Sequence, residues 1–226
     1  MDFENLDLLL SPSYDAGYAK FHGRLVPDTR YPVNGVRVPV MRKLAQEMAK
    51  VHDLDALLER QRKAFRKTTP SYEAVMVHLL AIAYRKSAPN LMMERAKPSL
   101  FLLDNWGHCD TFASTLSKGL IKTPEGCGYI PSLAVSAQPY ESRLGLVMAL
   151  SLPKPQRSGF LTFLHNRCDE IPYRETPVSM AIAWLLSQYL ATDPVGTEYL
   201  FAHWPFDEIT LKRTKQKIRE SRLYKT

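Results

Sequence analysis

Apolar residues recur at helical spacing along almost the whole of this sequence, and next to nothing alternates in the manner of a strand. In 38–51, the adjacent Val40 and Met41 are followed by Leu44, Met48 and Val51 at steps of three to four residues, which is helical spacing, with Pro39 tolerated in the first turn. Asp53 is a natural cap for a short following helix that carries Leu54 and Leu57. Thr69-Pro70 opens a longer run through Tyr72, Val75, Met76, Leu79, Leu80 and Ile82. Residues 90–103, 111–121, 140–152 and 156–168 read the same way. Thr176-Pro177 repeats the cap-plus-proline start ahead of Met180, Ile182, Trp184, Leu185, Tyr189 and Leu190, and Asp193-Pro194 stops that helix and starts another.

Strand signals are thin. Val36-Arg37-Val38 meets Pro39 at once, 129–135 is interrupted by Pro131, and 122–128 reads as a turn-rich loop. Helices of about 12–17 residues, paired at a spacing of roughly 35–40, match the size of helical-hairpin repeats such as HEAT. The expectation is one all-α domain over 1–226, an α-solenoid of HEAT-like antiparallel helix pairs with a concave basic face. An irregular orthogonal bundle is the second choice.

With 226 residues, 45% of them hydrophobic and 23% charged, the chain has the balance of an ordinary globular protein and enough length for a sizeable core. No apolar run nears the roughly 20 residues that span a bilayer. The acidic start, Met1-Asp-Phe-Glu-Asn, is unlike a secretory signal. Three widely spaced cysteines suggest a reducing compartment rather than a disulfide framework. A cytoplasmic monomer with no membrane partner is expected. The net charge of +7 is concentrated in two places. One is Arg60, Arg62, Lys63, Arg66 and Lys67. The other is the last 20 residues, where Lys212, Arg213, Lys215, Lys217, Arg219, Arg222 and Lys225 face only Asp207, Glu208 and Glu220. Such blocks favour phosphate contacts, and equally they serve as solvated helix faces.

Costly side chains inside the apolar runs are the candidates for chemistry. Trp106 and Asp110 are four apart in Asp104-Asn-Trp-Gly-His-Cys-Asp110, so a helix starting near Asn105 would carry both on one face, with Asp104 or Asn105 as its cap. Taken alone, Trp106 reads equally as core and Asp110 as a carboxylate favoured by the helix dipole. Arg143 precedes the apolar stretch Leu144–Leu150, where it could snorkel to solvent. Trp184 sits between Ala183 and Leu185, with small Ala181 near it, compatible with close packing or with an open groove. A metal site drawn from His108, Cys109, Cys127, His165 and Cys168 has one ligand-like spacing, His165-x-x-Cys168, and no second pair to complete it. No metal and no cofactor is expected. Cys109 has no assignable partner histidine, and Gly126-Cys-Gly128 lacks the Lys-Ser/Thr of a phosphate loop.

In combination, Trp106-x-x-x-Asp110, Arg143 before an apolar helix, and Ala181-Ile-Ala-Trp184 resemble the AlkD-type DNA alkylation repair family, the HEAT-like-repeat DNA glycosylases. Gly35-Val-Arg-Val-Pro39 with Arg42, and the Lys/Arg-rich final helix with Lys217, Glu220, Ser221 and Arg222, extend the likeness over 21–222. It is nearest the branch with Asp-Asn-Trp-x-x-Cys-Asp. The resemblance implies hydrolysis of the N-glycosidic bond of cationic N-alkylated purines, of the 3-methyladenine and 7-methylguanine type, in duplex DNA. It assigns Asp110 to catalysis, Trp106 and Trp184 to the lesion, and Arg143 to a backbone phosphate. An N-terminal aromatic contact is also implied, for which Tyr18, Phe21 and Tyr31 are the candidates. The alternative is a non-catalytic HEAT-like protein that binds unusual or branched DNA.

Overall fold

The computed structural model describes residues 3–221. It is all-α, of the helical-repeat type, with no strand among the described residues. The chain divides into two compact units, Met1–Gly119 and Leu120–Thr226.

The first unit holds α1 (Leu6–Leu10), α2 (Ala16–Gly23), α3 (Val38–Met48), α4 (Leu54–Lys67), α5 (Tyr72–Tyr84), α6 (Pro89–Ala96) and most of α7 (Trp106–Leu120). Helix α5 is its centre, packed by α1, α3 and α6. Eleven consecutive residues from Tyr72 to Ile82 are buried, so α5 is apolar all round rather than on one face. It starts at Tyr72, not at Thr69-Pro70, because the Ser71 hydroxyl accepts from the Ala74 N–H at 3.0 Å. Residues 97–102 tighten into a 3₁₀ turn, so the helix expected over 90–103 ends at Ala96.

Two polar groups are buried within this apolar block. Glu73 is 1% exposed, and its carboxylate accepts from the backbone N–H groups of Asn34, Gly35 and Val36 at 2.7–3.2 Å. The loop it pins passes through Gly35 at φ +86°, where a β-carbon would lie 2.1 Å from the Asp15 carbonyl oxygen, so only glycine fits. His78 is fully buried. Its Nδ1 donates to Gln61 Oε1 at 2.7 Å, its Nε2 accepts from the Ser99 hydroxyl at 2.9 Å, and Gln61 in turn donates to the Phe3 carbonyl.

Burial, with the Arg62 guanidinium nearby, pushes the His78 imidazole down to about 3. The unfolded chain takes up this proton near pH 6.5 and the folded chain does not. Stability is therefore complete above pH 6.5 and is lost as pH falls toward 3, by about 1.4 kcal/mol per unit. Urea unfolding across pH 7 to 4 should show that slope in the wild type and a shallower one in His78→Gln. Equal slopes would mean that His78 charges in place.

The second unit holds α8 (Pro124–Ala134), α9 (Pro139–Ala149), α10 (Lys154–Asn166), α11 (Thr176–Thr192), α12 (Pro194–Ala202) and α13 (Glu208–Glu220). Alternate helices pack side by side, α9 on α11 and α11 on α13, with α10 on α12 as a second layer. That skip-one pattern is what stacked helical hairpins produce. Helix α8 replaces the loop expected over 122–128 and the interrupted strand of 129–135. The Thr123 hydroxyl accepts from the Gly126 N–H at 3.1 Å, Pro124 occupies the first turn, and Pro131 costs one backbone bond without ending the helix. The close crossing of α8 and α9 needs Gly145, whose β-carbon would meet the Ala134 nitrogen at 2.4 Å. Glu175, not Thr176, occupies the N-cap position of α11, without a side-chain capping bond, while Asp193 caps α12 by accepting from the Gly196 N–H. No helix among the described residues is long and apolar enough to cross a membrane.

Candidate functional site

Helix α7 begins five residues earlier than the apolar pattern of 111–121 indicated, and the reason is a polar knot at its start. The Asn105 side-chain oxygen accepts from the His108 N–H at 2.9 Å, the N-cap bond. Asp104 accepts from the Thr29 hydroxyl at 3.0 Å and from the Arg30 N–H at 2.7 Å. Burial alone would raise the Asp104 carboxyl. The neighbouring His108 ring, the Arg30 N–H and the Asn105 amide outweigh it and hold the group below the ordinary carboxylate range. His108, fully buried, sets Nε2 2.8 Å from the Tyr72 carbonyl and turns Nδ1 toward the Asn105 amide at 2.8 Å and the Asp104 carboxylate at 3.5 Å. Its ring stacks on Tyr72 at 4.1 Å, so the histidine weighed as a metal ligand is spent on packing.

This knot places Trp106 and Asp110 one turn apart on the same face of α7. Trp106 is not core: it is 45% exposed, and its indole N–H donates to the Leu25 carbonyl at 2.8 Å. The ring therefore lies open yet held in orientation. Asp110 is half-buried. Gly107 between them is required, since a β-carbon would sit 2.4 Å from the Tyr72 hydroxyl.

Of the three N-terminal aromatics, Tyr31 is buried and its hydroxyl donates to the Leu102 carbonyl, which removes it as a surface contact. Phe21 is 56% exposed, one helical turn before Leu25. Tyr18 is half-buried beneath the Arg37 guanidinium, 4.0 Å from ring centre to carbon.

In the second unit, Arg143 is buried in α9 rather than snorkelling, and its Nη1 donates to the Pro177 carbonyl of α11 at 2.7 Å. Trp184 is half-buried on α11. It borders a hollow of about 180 Å³ with Leu150, Arg157, Gln188, Tyr189 and Thr192, the open-groove arrangement rather than close packing on all sides. The structure thus pairs Trp106 with Asp110 on α7, and sets Arg143 and Trp184 on the packed helices α9 and α11.

The basic clusters are less uniform than their composition suggests. On α4, Arg60 pairs with Glu4 at 2.6 Å, and Arg62 is buried between Glu59 and Ser99. Lys63 reaches Glu59 at 3.5 Å, Arg66 lies over the Phe101 ring, and Lys67 is exposed. On α13, Lys212, Arg213, Lys215, Lys217 and Arg219 share the helix with a Lys217–Glu220 pair at 3.6 Å. Arg222 and Lys225 lie outside the described residues. No group of three or more metal-ligating side chains occurs among the described residues.

Asp104 and Asn105, legible in the sequence as cap candidates, support the site together with Thr29, His108 and Tyr72, whose part in it no local pattern signals.

No curated protein matches this sequence. The model of a family described as DNA alkylation repair enzyme matches residues 4–201, a span that includes Trp106, Asp110, Arg143 and Trp184 and stops short of α13. With the all-α repeat fold and that match over most of its length, the chain belongs to the DNA alkylation repair enzyme family.

Proposed function

We propose that the protein, with the whole of 1–226 acting as one repair domain, is a DNA glycosylase that hydrolyses the N-glycosidic bond of cationic N-alkylated purines in duplex DNA. The observation that carries this reading is the α7 pair: an exposed indole, tethered through its N–H, one turn from a half-buried carboxylate. An alkylated purine of this class carries a positive charge, which an indole face attracts. When the bond breaks, the base leaves with the bonding electrons as a neutral species, and positive charge passes to the deoxyribose. The Asp110 carboxylate is assigned to stabilise that oxocarbenium-like state and to orient the water that adds to the sugar carbon, whose surplus proton passes to solvent. No general acid is needed to release a base already charged, so one carboxylate serves where sugar hydrolases use two.

Trp184 is assigned to the lesion and Arg143 to a backbone phosphate, its guanidinium already oriented by the Pro177 carbonyl. A concave basic face for the duplex belongs to the same proposal. The cations offered to phosphates are Lys63, Arg66 and Lys67 on α4 in the first unit and, separately, those of α13 in the second; Arg62 is buried. The deciding experiment is incubation of the protein with methylated duplex DNA and chromatography of the released bases. Release of 3-methyladenine or 7-methylguanine supports the reading. Tight binding without release would move the protein to the non-catalytic alternative.

DNA affinity should fall steeply with added salt, because each neutralised phosphate releases counterions. Charge reversal at Lys63, Arg66 and Lys67 together with Lys212, Lys215 and Arg219 should flatten that slope in a filter-binding titration. An unchanged slope would assign both clusters to solubility.

A further inference from the structure

The C-terminal ends of α3 and α5 border an open hollow of about 480 Å³ lined by Gln46, Ala49, Lys50, Tyr84, Arg85 and Lys86. Its size falls in the range of small-ligand sites, roughly 300–1,000 Å³. Three of the six lining residues are cations and none is a carboxylate. Glu47, the one carboxylate on α3, is not among the lining residues and pairs with Lys50 at 2.8 Å. The hollow shares no residue with the base-release reading and stands independently of it.

Two of its groups are held in place before any ligand arrives. Arg85 Nη1 donates to the Ala49 carbonyl at 2.9 Å and to the Val51 carbonyl at 3.3 Å, which closes the end of α3 and fixes the guanidinium. Tyr84 is half-buried, and its hydroxyl accepts from Arg42 Nη1 at 2.9 Å, so its ring is held at the wall. Lys50 and Lys86 are exposed, Lys50 in an ion pair with Glu47 open to exchange with a ligand anion. An aromatic face beside fixed and flexible cations is the arrangement that takes up a base and its phosphate together. An acidic peptide would use the cations and leave the ring idle. A duplex would offer phosphates, but its base faces are stacked on their neighbours.

We propose that this hollow binds a nucleotide unit, its base laid on Tyr84, its phosphate among Lys50, Arg85 and Lys86, and its base edge within reach of the Gln46 amide. A free mononucleotide and a nucleotide of an unpaired DNA strand offer this same chemistry.

The full chain would be titrated with a labelled oligothymidylate and with a labelled blunt duplex, and dAMP added as competitor. Tyr84→Leu should weaken oligothymidylate binding about 10-fold or more, the size of one lost base–aromatic stack, and leave the blunt duplex unaffected. Tyr84→Phe, which keeps the ring, should bind as the wild type. Lys50→Glu/Lys86→Glu, on two exposed side chains that do not threaten the fold, should weaken the oligothymidylate and reduce its salt dependence. Displacement of the oligothymidylate by dAMP would identify a free nucleotide as sufficient ligand, and resistance to dAMP would identify the unpaired strand. Unchanged oligothymidylate affinity in Tyr84→Leu or in the double lysine variant overturns the proposal. So does equal weakening by Tyr84→Leu and Tyr84→Phe, or a wild type that binds neither oligothymidylate nor dAMP.

Discussion

Asp110→Asn is expected to cut base release from methylated duplex DNA by on the order of 100-fold or more, the loss seen when one preorganised electrostatic group is removed from a reaction centre. Asparagine keeps the size and hydrogen-bonding outline of the half-buried side chain and removes only its charge. Folding and DNA affinity should therefore stay near wild type. Trp106→Ala and Trp184→Ala should cost less, since cation–π contacts contribute about 0.5–2 kcal/mol, and should act more on lesion preference than on rate. Single-turnover release measured beside DNA affinity separates these outcomes. Full activity in Asp110→Asn would refute the role given to the carboxylate.

The largest effect on stability is expected at Glu73, far from any surface chemistry. Glu73→Ala leaves the N–H groups of Asn34, Gly35 and Val36 without the acceptor that now serves all three. Each buried group so orphaned costs about 1–3 kcal/mol, and partial relaxation of the loop should leave a net loss of about 3–5 kcal/mol in urea unfolding. Glu73→Gln retains one carbonyl oxygen and should lose clearly less. If Glu73→Ala unfolded at the wild-type urea concentration, the 34–36 loop would have to be held by something other than this carboxylate.

Helix existence was readable from the sequence because α3 shows the 3.6-residue period that one-sided burial imposes, and α5, α9 and α11 are apolar runs too long for strands. Some boundaries were not, because they are set by single side-chain bonds, Ser71 to Ala74 and Thr123 to Gly126, whereas Asp104 or Asn105 was already legible as the cap of α7. Helix α8 was missed altogether. Its glycines and Pro131 argue against a helix locally, and tertiary packing of α8 on α9 overrides them. The exposure of Trp106 was not legible either, since a tryptophan beside apolar residues reads as core. What opens it is a backbone carbonyl at Leu25, 81 residues earlier. Glu73 looked like an ordinary first-turn carboxylate. Its partners are the N–H groups of a loop nearly 40 residues away, which no local pattern reports.

The knot between Asp104 and residues 29–30 joins positions 74 and 75 apart in the chain. Bringing such distant points together costs roughly 4 kcal/mol of loop-closure entropy. During synthesis, Thr29 and Arg30 emerge long before Asp104, and until then the segment that will hold Trp106 has no anchor. The first turn of α7 is therefore among the last parts of its unit to take final form, after the local pairing of α3 with α5. Helices α1, α3 and α6, which pack on α5, all precede residue 104, whereas the face on which Trp106 and Asp110 stand needs the segment that follows it.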